Sequence, residues 1–353
     1  MTSVAVIIAM QAHAQSIAPA DAATQELLRQ QERERALRRQ LEQTPDARLD
    51  RRAMPDLGYL PVGETPCFDI SRIVLEGDPS AEFQWALMAA DFVDGAIDVA
   101  TGRCLGAGGI NLAMKRIQNA IVERGFVTTR VLAAPQDLNS GTLTLTLIPG
   151  RIRNIRFTDD SDDRATHWNA MPASEGDILN LRDIEQALEN FKRAPTAEAD
   201  IQITPAEGPD ARPGDSDLVI SWKQSFPFRL SISADDSGSK ATGKYQGAVT
   251  LSYDHMLTLN DLFYASVNHD LGGGESGRRG TRGHTVHYSI PFGYWLLGFT
   301  TSEYDYHQSV AGANQTYLYS GESRNSDIRL SRLLYRDAVR KTTVSLRGWQ
   351  RTS

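Results

Sequence analysis

Bond-making chemistry in this sequence would have to come from a few short stretches, and each gives a bland answer. Asp159-Asp160 and Asp162-Asp163 crowd four carboxylates together, as a Ca²⁺ loop does. They lack the glycine and the closing carboxylate of an EF-hand loop, so they read as a solvated acidic turn. Gly272-Gly273-Gly274 stands between strand-like segments instead of opening a helix, which makes it a loop and not a phosphate cradle. His255, His269, His284, His287 and His307 are scattered through alternating segments without metal-ligand spacing, as lumenal or interfacial polar groups would be. No nucleophile elbow, P-loop or HExxH motif occurs. The expectation is therefore no catalytic residue, no metal, no cofactor and no enzyme.

One covalent feature remains. Cys67 and Cys104 are the only two cysteines, and an exported protein tends to oxidise an even set. The pair reads as a disulfide, with two buried free thiols as the other reading; a metal site lacks neighbouring ligands. Export is suggested by the first residues. Val4 to Met10 is a short apolar run, and Ala12-His13-Ala14 fits a small-x-small cleavage site, so 1–14 reads as the remnant of a signal peptide. The formal net charge of −7 lacks the basic surplus of a nucleic-acid protein, so none is expected as a partner. No segment approaches the ~20 apolar residues of a spanning helix.

Membrane passage would thus fall to strands, and the second half supplies them. Phe228, Leu230 and Ile232 alternate with Arg229, Ser231 and Ser233; Val249, Leu251 and Tyr253 alternate with Thr250, Ser252 and Asp254. About seven such segments fill residues 223–353, separated by Gly-rich polar turns, in the pattern of an antiparallel transmembrane β-barrel. Tyr294-Trp295 and Tyr317 to Tyr319 suit an aromatic girdle at a membrane interface.

Ahead of these strands the pattern changes. Thr24 to Glu42 is rich in Leu, Gln, Glu and Arg, with no Gly or Pro, and predicts a helix whose apolar residues are too sparse for a core-facing stripe. Residues 44–66 carry four prolines and no periodicity, which predicts an extended linker. Residues 67–149 read as a βααββ unit: a strand from Phe68 to Leu75, a helix around Ser80 to Ala90, a second helix striped by Ile110, Met114, Ile117 and Ile121, then strands at Phe126 to Ala133 and Thr142 to Ile148. The plan repeats over 150–222, with a short helix at Thr166 to Met171 and a longer one capped by Asn180. Two consecutive modules of one plan are an internal repeat of fold.

This order resembles the two-partner secretion transporters of the outer membrane, the haemolysin and filamentous-haemagglutinin secretion-activation family. The stretches that carry the likeness are PCFDISRIVLEG, GRCLGAGGINLAMKRIQNAIVERGFVTTRV, GTLTLTLIPGRIRNIRF and DDSGSKATGKYQGAVTLSYDH, with YSIPFGYWLL further on. The resemblance implies that the βααββ units are POTRA domains, two in tandem, lying in the periplasm of a Gram-negative bacterium. They would receive an unfolded exoprotein, a haemolysin or adhesin, which crosses a barrel seated in outer-membrane lipid by a single transporter molecule. It implies that the helix within 15–43 plugs the pore at rest, with Glu26, Arg29, Arg33 and Arg38 on its polar surface, and that 44–66 is a tether. A factor that assembles other outer-membrane barrels is the alternative, since it shares both parts. Seven strands would leave open edges, so the chain reads as the front of such a transporter, with under half a barrel and no pore of its own.

Capture of an unfolded client has a simple physical basis. A three-stranded sheet leaves backbone groups unpaired at its edge, where an extended chain can add a strand. The second strand of the first module is the candidate, through Val127, Thr129, Val131 and Ala133, and Thr129→Pro is expected to weaken binding without unfolding the module. Ordinary core contacts of Val131 and Leu132 are the competing reading.

Overall fold

In the computed structural model of the chain, residues 19–42, 45–49 and 58–353 are described. The signal segment 1–14 and part of the linker lie outside these described residues.

Strict Leu–Thr alternation puts Leu143, Leu145 and Leu147 on one face of a strand, and that strand becomes the centre of the first module's sheet. Strands and helices are numbered in chain order, with β1 at Phe68–Ile70 and β2 at Arg72–Glu76. A short helix α2 (Ser80–Phe83) runs into a 3₁₀ segment at Gln84–Asp91, then come β3 (Phe92–Val93), β4 (Ala96–Ile97) and β5 (Arg103–Leu105). Helix α3 (Ala107–Glu123), β6 (Arg130–Leu132) and β7 (Thr142–Ile148) complete the module. The sheet order is β2-β7-β6, with β2 parallel to β7 and β6 antiparallel to it. Ala113, Ile117 and Ile121 of α3 pack fully buried against Phe83, Leu75 and the β7 leucines. Gly125 ends the helix at φ +102°, a conformation that favours glycine.

The expected first strand is two strands. At Ser71 both its own N–H and that of Arg72 turn to the carbonyl of Gly141, which breaks the line. The first piece, β1, pairs instead with β5, and there a disulfide joins Cys67 to Cys104 with Cα atoms 5.2 Å apart.

The second module repeats the order with longer strands: β8 (Ile152–Phe157), α4 (Leu181–Phe191), β9 (Ala197–Pro205) and β10 (Ser216–Gln224), arranged β8-β10-β9. The Asn180 side chain accepts from Arg182 N and starts α4. The short helix expected at Thr166 to Met171 is not formed. That stretch is a run of turns whose polar groups are spent on the strand-rich domain: Asn169 Nδ2 donates to the carbonyls of Leu259 and Pro291, and its own carbonyl accepts from Gly293 N.

The two modules touch without a spacer. Leu181 N donates to Gly125 O at 2.9 Å, and Gly150 N donates to the Thr129 hydroxyl at 3.1 Å. A Cβ on Gly125 would sit 2.2 Å from Asn180 Oδ1, and one on Gly150 2.0 Å from Thr128 Oγ1, so neither position has room for a side chain.

The remaining strands form one meander: β11 (Phe228–Asp235), β12 (Tyr245–Asp254), β13 (Leu262–Gly272), β14 (Gly280–Phe292), β15 (Trp295–Ala311), β16 (Thr316–Arg336) and β17 (Lys341–Thr352). Each pairs antiparallel with its sequence neighbour, and a slip of one residue would exchange its two faces. Helix α1 (Pro19–Leu41) lies against this sheet.

Candidate functional site

The seven-stranded sheet is inverted relative to a water-soluble one. Its buried face is polar, with Gln246, Thr250, Ser266, Thr285, Ser302 and Ser323, while Leu230, Ile232, Leu251, Val267, Leu297 and Ile328 stand exposed on the other. A soluble sheet would bury the second set; a sheet facing lipid on one side and a hydrated lumen on the other has this arrangement. No described helix is long and apolar enough to cross a membrane.

Helix α1 is what covers the polar face. Glu26, buried, accepts from the Tyr304 hydroxyl at 2.9 Å and the Thr242 hydroxyl at 2.8 Å, and pairs with Arg29 at 2.8 Å. Arg33 donates to the Tyr304 hydroxyl and its guanidinium lies over the ring, 5.6 Å from the centroid. Arg38 donates to Thr300 Oγ1 at 2.6 Å, and Gln30 accepts from Ser323 at 3.2 Å. Beside the helix a cavity of about 800 Å³ remains, lined by Arg35, Arg39, Asn325, Arg329 and Arg347 among others. A helix without a broad apolar face rests stably here because its partners are hydroxyls and charges, not hydrocarbon.

The described parts of the linker do not hang free. Ala47 N donates to Glu189 and Leu49 N to Glu185, both carboxylates of α4. Those carboxylates also hold Arg336, at the end of β16, at 2.8 Å and 3.0 Å, and Glu189 holds Lys341 at 2.7 Å. Residues 45–49 are thus clasped between the second module and the β16–β17 turn. Further along, Leu60 N donates to Asp98, which also pairs with Arg116 at 2.6 Å, and Glu64 accepts from the N–H groups of Gly106, Gly108 and Gly109 at the start of α3. Burial alone would raise the Asp98 carboxyl, but the hydrogen bonds from Leu60 and Arg116 outweigh it and hold it below the usual range.

Tyr294, expected in an aromatic girdle, faces the module instead and its hydroxyl donates to Asp183 of α4. Burial pushes the Asp183 carboxyl above its ordinary value, against that hydrogen bond. Trp295 does stand on the exposed face, with Arg332 over its ring at 4.8 Å. His255 is buried at the β12–β13 turn, bonded to Arg164 O and Asn260 N. Among the described residues no cluster of three or more metal-binding side chains exists, and the acidic turn spends Asp160 on Lys223 and Asp162 on Gln224 N.

The candidate client-binding residues separate. Strand β6 is an edge, paired only with β7. Val131 N and Thr129 O point away from β7, toward α3, where the Gln118 side chain meets both at 2.8 Å. Antiparallel alternation then turns Val131 O and Ala133 N the same way. Ala133 is exposed, whereas Val131 is buried in the module core and Val127 packs against the core of the second module. Thr129 is fully buried, with its hydroxyl spent on Gly150. Replacing it by proline would therefore break the junction between modules, so Thr129→Pro is not the clean test that the sequence suggested. The other edge, β9, is longer, and its register turns the backbone groups of Ala199, Ile201 and Ile203 outward while their side chains pack in the core. Gln118, Asn169 and Arg336 carried no sequence signal, because each acts on a partner distant in the chain.

Residues 214–353 match the family model of the haemolysin secretion/activation protein ShlB/FhaC/HecB; residues 68–150 match the ShlB-type POTRA domain and 151–205 a POTRA domain. The outer membrane transporter CdiB-2 of Burkholderia pseudomallei is 39% identical over 321 residues, covering 87% of this chain and 53% of that protein. The haemolysin transporter protein ShlB of Serratia marcescens is 24% identical over 238 residues, 67% of this chain and 40% of its own. Among solved structures, CdiB from Acinetobacter baumannii superposes with a TM-score of 0.80 at 27% identity, covering 94% of this chain and 62% of that one. CdiB from Escherichia coli gives 0.73 at 26%, covering 96% and 60%. The chain spans about half the length of the curated relatives it matches.

Proposed function

The chain belongs to the haemolysin secretion/activation protein family, with two POTRA domains ahead of outer-membrane barrel strands, and from that premise we propose that it serves two-partner secretion. Its modules receive an unfolded exoprotein of the haemolysin or adhesin kind in the periplasm. The client then passes along the polar face of the strands, from which α1 must first depart. The apolar face meets outer-membrane lipid, and one copy suffices, since the polar face is filled by the chain's own helix. The observation that carries this reading is that a charged helix sits on the polar face of an inverted sheet. A resident helix on that path favours passage of a client over insertion of other barrels.

The Gln30–Ser323 contact offers the test. With Gln30→Cys and Ser323→Cys joined by oxidation, exoprotein release from cells is expected to stop, and to resume on reduction. Undiminished release with the cross-link formed would overturn the proposal. Wild-type cells given the same reductant control for the native disulfide.

A further inference from the structure

The edge of the first module is already occupied by a piece of the protein itself. Gln118 Nε2 donates to Thr129 O, and Gln118 Oε1 accepts from Val131 N, each at 2.8 Å. A glutamine amide carries the same donor and acceptor as a backbone peptide group, and here it meets β6 as the next strand would. From this geometry we infer that Gln118 is an internal stand-in for client backbone, a latch that an arriving strand must displace. The inference rests on the reading of β6 as a client-binding edge.

The latch closes half the edge. Thr129 O also receives Arg130 Nη1 at 3.0 Å, so that end is doubly occupied. Among the described residues, Val131 O and Ala133 N at the other end have no such cover. A client strand therefore starts pairing at Ala133 and peels Gln118 away as it advances toward Thr129. Displacement is inexpensive because Gln118 is only part-buried and its freed amide is rehydrated, so what is lost is close to the modest net value of exchanged hydrogen bonds. Leu132, a large apolar side chain that β6 leaves exposed, favours an apolar residue opposite it on the client. In the absence of client, the same latch denies the edge to stray strands.

The experiment uses the full chain in detergent and reduced, carboxymethylated lactalbumin as a soluble, permanently unfolded probe. Gln118→Ala keeps a strong helix former on α3 while removing the amide. It is expected to speed exchange of the Val131 amide hydrogen and to tighten probe binding about fivefold, the equivalent of one net hydrogen bond. Adding Ala133→Pro, which removes the outward N–H at the open end, is expected to abolish that gain. If Gln118→Ala leaves affinity unchanged or weaker while Ala133→Pro alone weakens it, the latch is overturned and the edge stands. If neither variant changes binding, the edge reading falls with it.

Discussion

Glu26 of the N-terminal helix and Tyr304 of β15 share a hydrogen bond of 2.9 Å across 278 positions of sequence, and both side chains are buried by the contact. This bond, with that of Thr242, fixes the helix at its N-terminal half.

Glu26→Ala should loosen that seat. It leaves the Tyr304 and Thr242 hydroxyls without their acceptor, at a cost of about 1–3 kcal/mol for buried polar groups. The expected result is faster protease cleavage within α1, with strand protection unaltered. Cleavage at the wild-type rate would show that the contact does not hold the helix.

Arg336→Ala should open the clasp between α4 and the β16–β17 turn. Glu185 and Glu189 would lose their shared buried cation but keep Arg182 and Lys341, so the expected cost is about 1.5–3 kcal/mol, that of hydrogen bonds to charged groups. Hydrogen exchange at Ala47 and Leu49, whose amides donate to those carboxylates, should accelerate together. An effect confined to the turn would separate the linker from the clasp.

Acid should act on the first module through Asp98. Its carboxyl is held below the ordinary range, so its stabilisation is complete above the unfolded value of about 3.9 and disappears as pH falls through the lower folded value. Asp98→Asn should reduce stability at neutral pH by stranding Arg116, and flatten the acid limb of a denaturation series. A variant that keeps the full acid limb would assign it to another carboxylate.

Charge on the two faces of the sheet should have opposite consequences. Leu251→Lys places an ammonium on the apolar face, at about 2–4 kcal/mol if it lies near the membrane midplane and less toward either interface. Asn325→Lys projects into the cavity beside α1 and should be tolerated. Folding yields in liposomes, compared side by side, check which face meets lipid; equal yields would argue against an inverted sheet.

Much of this architecture is legible locally. The Leu–Thr alternation of β7, the Asn180 cap and the period-two pattern of β12 announce their elements because propensity, burial and hydrogen bonding agree within a few residues. Legibility fails where a group's partner is remote. The turns around Asn169 have enough local signal to suggest a helix, but their hydrogen bonds go to the strand-rich domain roughly 90 to 120 residues on, to Leu259 and Pro291. Tyr294 belongs to an aromatic pair by sequence, yet its hydroxyl is claimed by Asp183. The Pro-rich stretch reads as a free tether, and its described parts are instead bound by α4, Asp98 and the start of α3. Gln118 looks like any exposed helical glutamine until β6 is laid beside it.

The glycine junction at Gly125 and Gly150 has a mechanical meaning. With no spacer and no room for a Cβ, the two modules form a stiff arm instead of beads on a string. That arm is bolted to the strand turns through Asp183–Tyr294 and Glu185–Arg336. A force applied to the far module would thus be felt at the strand turns, where residues 45–49 lead back toward α1. A joint this tight would transmit such a force instead of absorbing it.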